Sequence, residues 1–452
     1  MAKKIEKQIL EVITPKDKDR KQLKEILKDL KQIVNSEIKI TKIPASIEIV
    51  GSIAKDTYLR NDLDIDLFLT FPTKYSKEKM GKQTLEIGRK ILTNTEECYA
   101  EHPYIRGFFK KYKIELVPSY KIESASQKLS AVDRTPLHTK YIKKNLKENQ
   151  KQEVRLFKRF LKGIGCYGAE AEIEGFSGYL CEILILKYGS FSMLIQHAIK
   201  WKHGEKLALS DNGFPSFNTP LVFIDPVDSE RNVASALSIE KFNLFIRACS
   251  EYLGKPSINF FFPNPVKPWI IEKIRNTVEK QDMLYIGVEF DKPDIIDENL
   301  YPQIRKATRA IWNTCKRYGF KIHDVIFHID AVLDKVIIVV KTDPVALSKT
   351  FVHMGPPVKL KKYVDEFIRK WENNPKLVKD PYEEKGRIYV ELEREYIEIK
   401  SFLKHQVKYL SLGKSIDKKK KSFKIVEQSK LYRKDLRVFW TIYLDGKAPW
   451  ER

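Results

Sequence analysis

Three acidic residues stand among apolar neighbours in two segments whose alternating pattern predicts β-strands. Asp64 and Asp66 occupy alternate positions in LDIDLFLTF, and Glu115 is the single acid in YKIELVPSY. Alternate side chains of a strand point to the same face, so we expect the two aspartates roughly 6.5–7 Å apart. Like charges at this spacing stay ionised when a cation lies between them, and hard cations such as Mg²⁺ prefer oxygen ligands. If the two strands are neighbours, the three carboxylates form a cradle for two metal ions.

Gly51 and Ser52 precede the aspartates at a predicted turn from a strand into a short helix. Backbone N–H groups at the start of a helix are free to bind an anion, and glycine lets a phosphate approach closely. The Ser52 hydroxyl adds a donor, and Lys55 adds positive charge one turn later. The combination predicts a phosphate site beside a metal site. If each pattern is taken by itself, Gly51 and Ser52 could form an ordinary turn, and Asp64 and Asp66 could belong to a charged edge strand.

The composition is strongly basic. The 452 residues include 83 Lys and Arg against 60 Asp and Glu, a formal net charge of +23. Such a surface favours polyanions, because neutralising phosphates releases condensed counterions. A heat-adapted surface would explain the abundance of charge but not its imbalance. The five scattered cysteines suggest neither a zinc site nor a disulfide framework, and we expect a cytoplasmic protein without a signal peptide or a membrane span.

The hydrophobic period changes twice along the chain and predicts an α+β multidomain protein. Residues 1–140 predict a mixed sheet with helices, in which the strand YKIELVPSY ends at Pro118. Residues 141–255 predict a helical middle domain, including a nearly apolar and therefore buried helix after Ser177 and Gly178. Residues 256–452 predict a mixed α+β region with an inserted subdomain at about 285–380. Its strand–helix–strand–strand order is typical of small RNA-binding modules.

Several motifs occur in one order between residue 50 and about residue 237. They are VGSIAKDTYLRNDLDIDLFLTFP, VPSYKI, SAVDRTPLHTKYI, EVRLFKRFLKGIGCYGAE, GFSGYLCEILILKYGSF and DPVDSERNVASALS. With these motifs the chain resembles the DNA polymerase β-like nucleotidyltransferases, and within them the archaeal, class I CCA-adding enzymes. The C-terminal half agrees more loosely, through FFFP and GPP. The resemblance implies a polymerase β-like catalytic palm in residues 1–140, a nucleotide-binding middle domain and a tRNA-binding C-terminal region.

The resemblance also implies roles for individual residues. Asp64, Asp66 and Glu115 would be catalytic and hold two Mg²⁺ ions, although the family tends to have Glu first and Asp third. Nucleotide-binding roles fall on six further positions. Ser52, Lys55, Lys158 and Tyr167 would contact phosphates, His138 the ribose or base, and Arg231 the base. The family often has Arg where Lys55 stands, so this residue would act as a point charge.

The function implied is template-independent addition or repair of the 3′-terminal CCA of tRNA, from CTP and ATP, with release of pyrophosphate. The partners implied are the acceptor arm and 3′ end of tRNA, and family likeness also suggests a homodimer. The basic stripe KSIDKKKKSFKIVEQSKLYRK, residues 414–434 with the run Lys418 to Lys421 and interleaved aromatics, is a candidate for RNA contact. Two alternatives stay open: another RNA terminal transferase, such as a poly(A) polymerase-like enzyme, and a non-catalytic RNA-binding protein.

Overall fold

The computed structural model describes residues 2–99, 101–210, 213 and 215–452. The chain forms two compact units, one of Met1–Pro265 with Lys447–Arg452 and one of Val266–Gly446. The first unit therefore takes in both the predicted palm and the predicted helical domain, and their division at residue 140 stays a prediction.

The first unit contains nine helices among its described residues, which are α1 (Ala2–Ile13), α2 (Asp17–Thr41), α3 (Gly51–Ala54), α4 (Lys77–Ile91), α5 (Arg134–Asn145), α6 (Glu148–Gly163), α7 (Gly178–Tyr188), α8 (Phe191–Ala198) and α9 (Ile239–Gly254). Its strands in the same described part are β1 (Ser46–Ile49), β2 (Ile65–Phe71), β3 (Thr93–Tyr99), β4 (Pro103–Phe109), β5 (Tyr112–Tyr120), β6 (Glu205–Leu207), β7 (Leu221–Asp225) and β8 (Asp228–Asn232).

A five-stranded mixed sheet in the order β1-β2-β5-β4-β3 forms the base of the first unit. Strands β2 and β5 are parallel, and the other pairs are antiparallel. One face of β2, lined by Ile65, Leu67 and Leu69, is fully buried in a core shared with helices α2 and α4. Each such side chain contributes about 1.5–3 kcal/mol on burial. This packing fixes the register, so the alternate residue Asp66 must point to the opposite face.

Two predicted strand boundaries are wrong. Strand β2 begins at Ile65, so Asp64 lies just before it, because the pairing with β5 starts at Ile65 opposite Ile114. Strand β5 does not end at Pro118 but continues to Tyr120. Beyond Leu116 it pairs with β2 and no longer with β4, and a strand with one open side can accept a residue that lacks an N–H.

Helices α5 to α9 surround an apolar core rich in aromatic rings. Helix α7 begins directly after Ser177, whose hydroxyl accepts from the Leu180 N–H, and its central residues are fully buried, which confirms the prediction of a buried helix. Strands β6, β7 and β8 form a small sheet beside these helices. Among the described residues, no single helix is long and apolar enough to span a membrane; α7 and α8 meet that test only as a pair, bent by 92°.

The second unit is α+β and is built around two sheets, in the orders β10-β11-β9-β15 and β12-β14-β13. Its strands are β9 (Leu284–Asp291), β10 (Ile322–Asp330), β11 (Lys335–Thr342), β12 (Thr350–Pro357), β13 (Leu377–Glu384), β14 (Arg387–Glu393) and β15 (Lys424–Val426). Its helices are α10 (Ile271–Glu279), α11 (Asp297–Tyr318), α12 (Lys361–Trp371), α13 (Ile399–Gln406), α14 (Lys414–Asp417), α15 (Gln428–Leu431) and α16 (Arg437–Asp445). The order β9, α11, β10, β11 confirms the predicted strand–helix–strand–strand pattern, and apolar residues on both faces of the first sheet are buried.

Candidate active site

Two parallel strands bring two of the predicted metal ligands opposite each other. Asp66 on β2 and Glu115 on β5 are Cα partners, and Asp64 immediately precedes β2. The Asp64 side chain is half-exposed, whereas Asp66 lies deeper. Burial, followed by the negative charge of Glu115 and then of Asp64, raises the pKa of Asp66 to about 7. Carboxylates arranged in this way favour the binding of a proton or a cation.

Gly51, the first residue of α3, lies against Asp66. A Cβ atom at position 51 would be 1.8 Å from Asp66 Oδ2, and the φ angle of Gly51 is +69°, in the left-handed region. Another residue would collide with the carboxylate and strain the backbone. The glycine thus makes room for an acid, a role that differs from the close phosphate approach expected from the sequence. Ser52 follows it and lines the same cleft.

Basic side chains engage the other two acids. Arg106 on β4 is the Cα partner of Glu115, and its Nε donates to Glu115 Oε1 at 2.7 Å. Lys113 Nζ lies 3.6 Å from Asp64 Oδ2. Within the described residues, no three acidic, histidine or cysteine side chains are gathered into a ready-made metal site. Arg106 and Lys113 are thus the basic groups nearest to two of the three predicted metal ligands, Glu115 and Asp64.

Two predicted phosphate contacts, Lys55 and Lys158, lie around a buried acid, Glu182. Lys55 Nζ donates to Glu182 Oε2 at 2.6 Å, and Lys158 Nζ is 3.6 Å from Glu182 Oε1. The Thr57 hydroxyl donates to Glu182 Oε1 at 2.6 Å and accepts from Lys158 Nζ at 3.2 Å. Burial alone would raise the pKa of Glu182, but the charges of Lys55 and Lys158, together with the hydrogen bonds from Lys55 and Thr57, outweigh it and lower that pKa. Burial also lowers the pKa of Lys158, against the opposing effect of Glu182.

His138 and Arg231 share a second buried acid, Asp225, at the end of β7. Asp225 Oδ2 lies 2.8 Å from His138 Nε2 and accepts from Arg231 at 2.8 Å, while Oδ1 accepts from the Tyr179 hydroxyl at 3.0 Å. The His138 ring stacks on the Tyr179 ring, with centroids 3.9 Å apart. Burial lowers the pKa of His138, and the donors around Asp225 outweigh burial and lower the pKa of that acid. A neutral imidazole beside an ionised carboxylate carries its proton on Nε2 and leaves Nδ1 as an acceptor.

Tyr167 lies beside the first turn of α7. A Cβ atom at Gly178 would be 3.2 Å from Tyr167 Oη, and Lys162 Nζ lies 5.0 Å from the Tyr167 ring centroid. Burial raises the pKa of Tyr167 well above its ordinary value, so its hydroxyl stays protonated and can donate to an anion.

All the site residues predicted from the sequence line one cleft, which has a cavity volume of about 520 Å³. They are Ser52, Lys55, Asp64, Asp66, Glu115, His138, Lys158, Tyr167 and Arg231. The cleft is lined by the acids as well as by the buried lysines, a combination that suits a cation-bound polyphosphate.

Three family models match successive parts of the chain. They describe a nucleotidyltransferase domain at residues 20–138, the second domain of tRNA nucleotidyltransferase at residues 152–262, and the C-terminal domain of CCA-adding enzymes at residues 282–428. The CCA-adding enzyme of Methanosarcina acetivorans is 34% identical over 439 residues, which cover 95% of this chain and 96% of that protein. The CCA-adding enzyme of Picrophilus torridus is 36% identical, over 93% of this chain and 95% of that protein.

The chain belongs to the CCA-adding enzyme family. Membership confirms the resemblance seen in the sequence, the multidomain α+β fold with a nucleotidyltransferase domain, and the prediction of a tRNA nucleotidyltransferase enzyme. It does not favour the poly(A) polymerase-like alternative or a non-catalytic RNA-binding protein. The roles of individual residues stay predictions, which the geometry of the cleft makes specific.

In this member of the CCA-adding enzyme family the sequence interpretation missed four residues that line the cleft or hold its side chains: Arg106, Tyr179 and Glu182 line it, and Asp225 binds His138 and Arg231 behind it. Glu182 was visible as the one acid in the apolar helix GYLCEILILKY, and Asp225 opens the DPVD motif. Tyr179 and Arg106 carried no local signal of their own. Each of the four holds a predicted site residue in place, through the contacts described above.

Proposed function

We propose that this cleft transfers nucleotides from CTP and ATP to the 3′ end of tRNA, without a template, and completes the CCA sequence with release of pyrophosphate. The observation that supports this most strongly is the meeting, in one cleft, of Asp64 and Asp66 with Lys158 and Arg231. Acids, phosphate-binding cations and a base-reading arginine are the parts that nucleotidyl transfer requires.

We further propose that Asp64, Asp66 and Glu115 hold two Mg²⁺ ions. Their oxygen donors fit a hard cation, and the raised pKa of Asp66 indicates unbalanced negative charge at this point. When bound, such ions supply an activated 3′-oxygen nucleophile and neutralise the charge of the leaving pyrophosphate. Gly51 keeps the neighbouring turn close to Asp66, so that Ser52 can donate to a phosphate beside the acids.

The triphosphate is proposed to lie against Ser52, Lys55, Lys158 and Tyr167. The two lysines are almost fully buried, so their charges act in a medium where electrostatic interactions are stronger than in water. Because they are already fixed by hydrogen bonds, they stabilise developing negative charge without reorganising during the reaction.

The base and ribose are proposed to lie against His138 and Arg231. A guanidinium has five N–H donors, and the contact of Arg231 Nη1 with Asp225 uses one of them. Donors elsewhere on the same fork can pair with acceptors on cytosine and, differently arranged, on adenine. The neutral His138 offers its Nδ1 to a hydroxyl or amino donor of the nucleotide.

We also propose a role for each of three regions of the chain. Residues 1–140 act as the catalytic palm, residues 141–255 complete nucleotide binding, and residues 256–452 bind the acceptor arm of tRNA through its backbone, with an inserted subdomain at about 285–380. The net charge of +23 supports phosphate contacts of this kind. We propose that the chain acts in the cytoplasm, as a homodimer.

The test uses purified protein with a tRNA that lacks its last three nucleotides, labelled CTP and labelled ATP. We expect addition to stop after C, C and A. An extended A tail made with ATP alone would instead indicate a poly(A) polymerase-like activity.

The residue roles are tested with the double substitution Asp64→Ala and Asp66→Ala. It should abolish addition while tRNA binding persists, because the basic C-terminal region is unchanged. Asp29→Ala, at an exposed ion pair with Lys110, is the matched control and should retain activity. Activity surviving in the double variant would contradict the assignment.

A further inference from the structure

Glu182 is a fully buried carboxylate for which neither the sequence pattern nor the proposed chemistry provides a task. It lies in α7, and its side chain has no exposed surface. Both of its oxygens are engaged, Oε2 by Lys55 at 2.6 Å and Oε1 by the Thr57 hydroxyl at 2.6 Å. A carboxylate this deep is unfavourable unless it is paired and hydrogen-bonded, and here both conditions are met.

The same contacts fix two lysines that reach the cleft. Lys158 donates to the carbonyl and the hydroxyl oxygens of Thr57, each at 3.2 Å, and lies 3.6 Å from Glu182 Oε1. Two neighbouring ammonium groups repel each other, and a carboxylate between them offsets that repulsion. With both lysines counted as ammonium groups and Glu182 as a carboxylate, the cluster of Lys55, Lys158 and Glu182 has a formal charge of +1.

Of the three side chains in this cluster, the two lysines keep hydrogen-bonding capacity for a ligand. An ammonium group has three N–H donors, and Glu182 takes one of those of Lys55 while Thr57 takes two of those of Lys158. Donors beyond these remain on both lysines, and both side chains line the cleft. Their charges also reach Asp66, where each opposes the raised pKa, so the cluster is electrostatically connected to the catalytic acids.

We propose that Glu182 is a positioning residue for nucleotide binding, which holds the ammonium groups of Lys55 and Lys158 side by side for the triphosphate. The proposal rests on the proposed function, because it takes the two lysines as phosphate contacts. It assigns Glu182 no contact with substrate. Its effect must therefore be specific to the phosphates and must pass through the lysines.

The experiment compares the affinities of Glu182→Gln for CTP and for cytidine, which lacks phosphates, in the full-length protein by calorimetry. Loss of a buried charged partner should weaken CTP binding by about tenfold or more, while cytidine binding changes by less than about twofold. Glu148→Gln, at a highly exposed glutamate of α6, is the matched control and should bind both ligands normally. Equal weakening for CTP and cytidine, or no weakening, would overturn the proposal.

A substitution cycle tests the route through the lysines. In a background that carries both Lys55→Met and Lys158→Met, Glu182→Gln should weaken CTP binding much less than it does alone, whereas additive effects would contradict the positioning role. If Glu182→Gln does not fold, Thr57→Val removes the hydroxyl that joins Glu182 to Lys158. This near-isosteric change should weaken CTP binding by about threefold and leave cytidine unaffected, and unchanged CTP binding would count against the proposal.

Failure of the underlying proposed function gives a different result. If neither Lys55→Ala nor Lys158→Met weakens CTP binding, the lysines are not phosphate contacts, and both proposals are wrong. If these variants do weaken it while Glu182→Gln does not, only the role of Glu182 is wrong.

Discussion

Asp66 lies directly opposite Glu115 across two parallel strands, and Arg106 lies opposite Glu115 on its other side. Glu115 thus stands between a carboxylate that repels it and a guanidinium that binds it at 2.7 Å. We expect three kinds of positive group to compete for these carboxylates: a proton on Asp66, the Arg106 guanidinium on Glu115, and bound metal cations.

Metal binding should depend on pH around neutrality. Burial and the charge of Glu115 raise the pKa of Asp66 to about 7, so the group is largely protonated below that pH and ionised above it. A cation must displace this proton, and Mg²⁺ affinity should fall by about tenfold for each pH unit below 7 and level off above it. Calorimetric titration of the nucleotide-free protein with MgCl₂ between about pH 6 and about pH 8 measures this. An affinity that is constant across the range would contradict the prediction.

Arg106→Leu should strengthen metal binding. The substitution removes the positive partner of Glu115, so a cation no longer competes with a guanidinium for that carboxylate. We expect Mg²⁺ to bind several-fold more tightly, measured by the same titration. Arg89→Leu, which breaks an exposed ion pair with Glu97, is the control and should leave the affinity unchanged. Weaker Mg²⁺ binding in Arg106→Leu would show that the arginine supports the cation site instead of competing with it.

Gly51→Ala should abolish nucleotide addition while the protein still folds. The new Cβ would lie 1.8 Å from Asp66 Oδ2, so the carboxylate or the turn must move. Gly165→Ala separates this collision from backbone strain. Gly165 has a similar φ of +72°, but apart from its own chain neighbours no described residue has an atom within 4 Å of the point that its Cβ would occupy. We expect both variants to lose about 1 kcal/mol of unfolding free energy from the left-handed backbone, and Gly51→Ala to lose more. An active Gly51→Ala enzyme would contradict the close packing.

The parts of the site that the sequence predicted are those encoded locally. The two aspartates, Gly51 and Ser52 lie within a single strand–turn–helix–strand segment, where alternation and turn residues carry the signal. The ends of strands were less predictable. Whether Asp64 belongs to β2, and whether β5 continues past Pro118, depends on which neighbouring strand supplies a partner.

The supporting acids could not be predicted from spacing, because their partners are distant in sequence. Lys55 and Glu182 are separated by 127 positions, and His138 and Asp225 by 87. A lone acid in an apolar helix signals burial with a partner, but the partner is chosen by the fold. Arg106 is different: it is only nine positions from Glu115, and hairpin pairing of the two strands would have brought them together.

Asp225→Asn should weaken binding of the base and ribose and leave binding of the phosphates unchanged. An amide keeps the shape of Asp225 but removes the charge that binds Arg231 and fixes the His138 proton on Nε2. Because Asp225 opposes the lowered pKa of His138, its loss lowers that pKa further, so the imidazole stays neutral and pH should not restore binding.

Affinities for cytidine and for inorganic pyrophosphate, measured by calorimetry on the variant and the original protein, test this division. We expect cytidine to bind Asp225→Asn about tenfold more weakly, from the loss of a buried charged partner, and pyrophosphate to bind as before. Asp228→Asn is the control, since this neighbouring acid binds Lys128 and Arg134 and should leave cytidine affinity unchanged. If the affinities for cytidine and pyrophosphate fall together, Asp225 supports the fold of the cleft as a whole. A residue that orients only His138 and Arg231 has no contact through which it could lower the affinity for pyrophosphate.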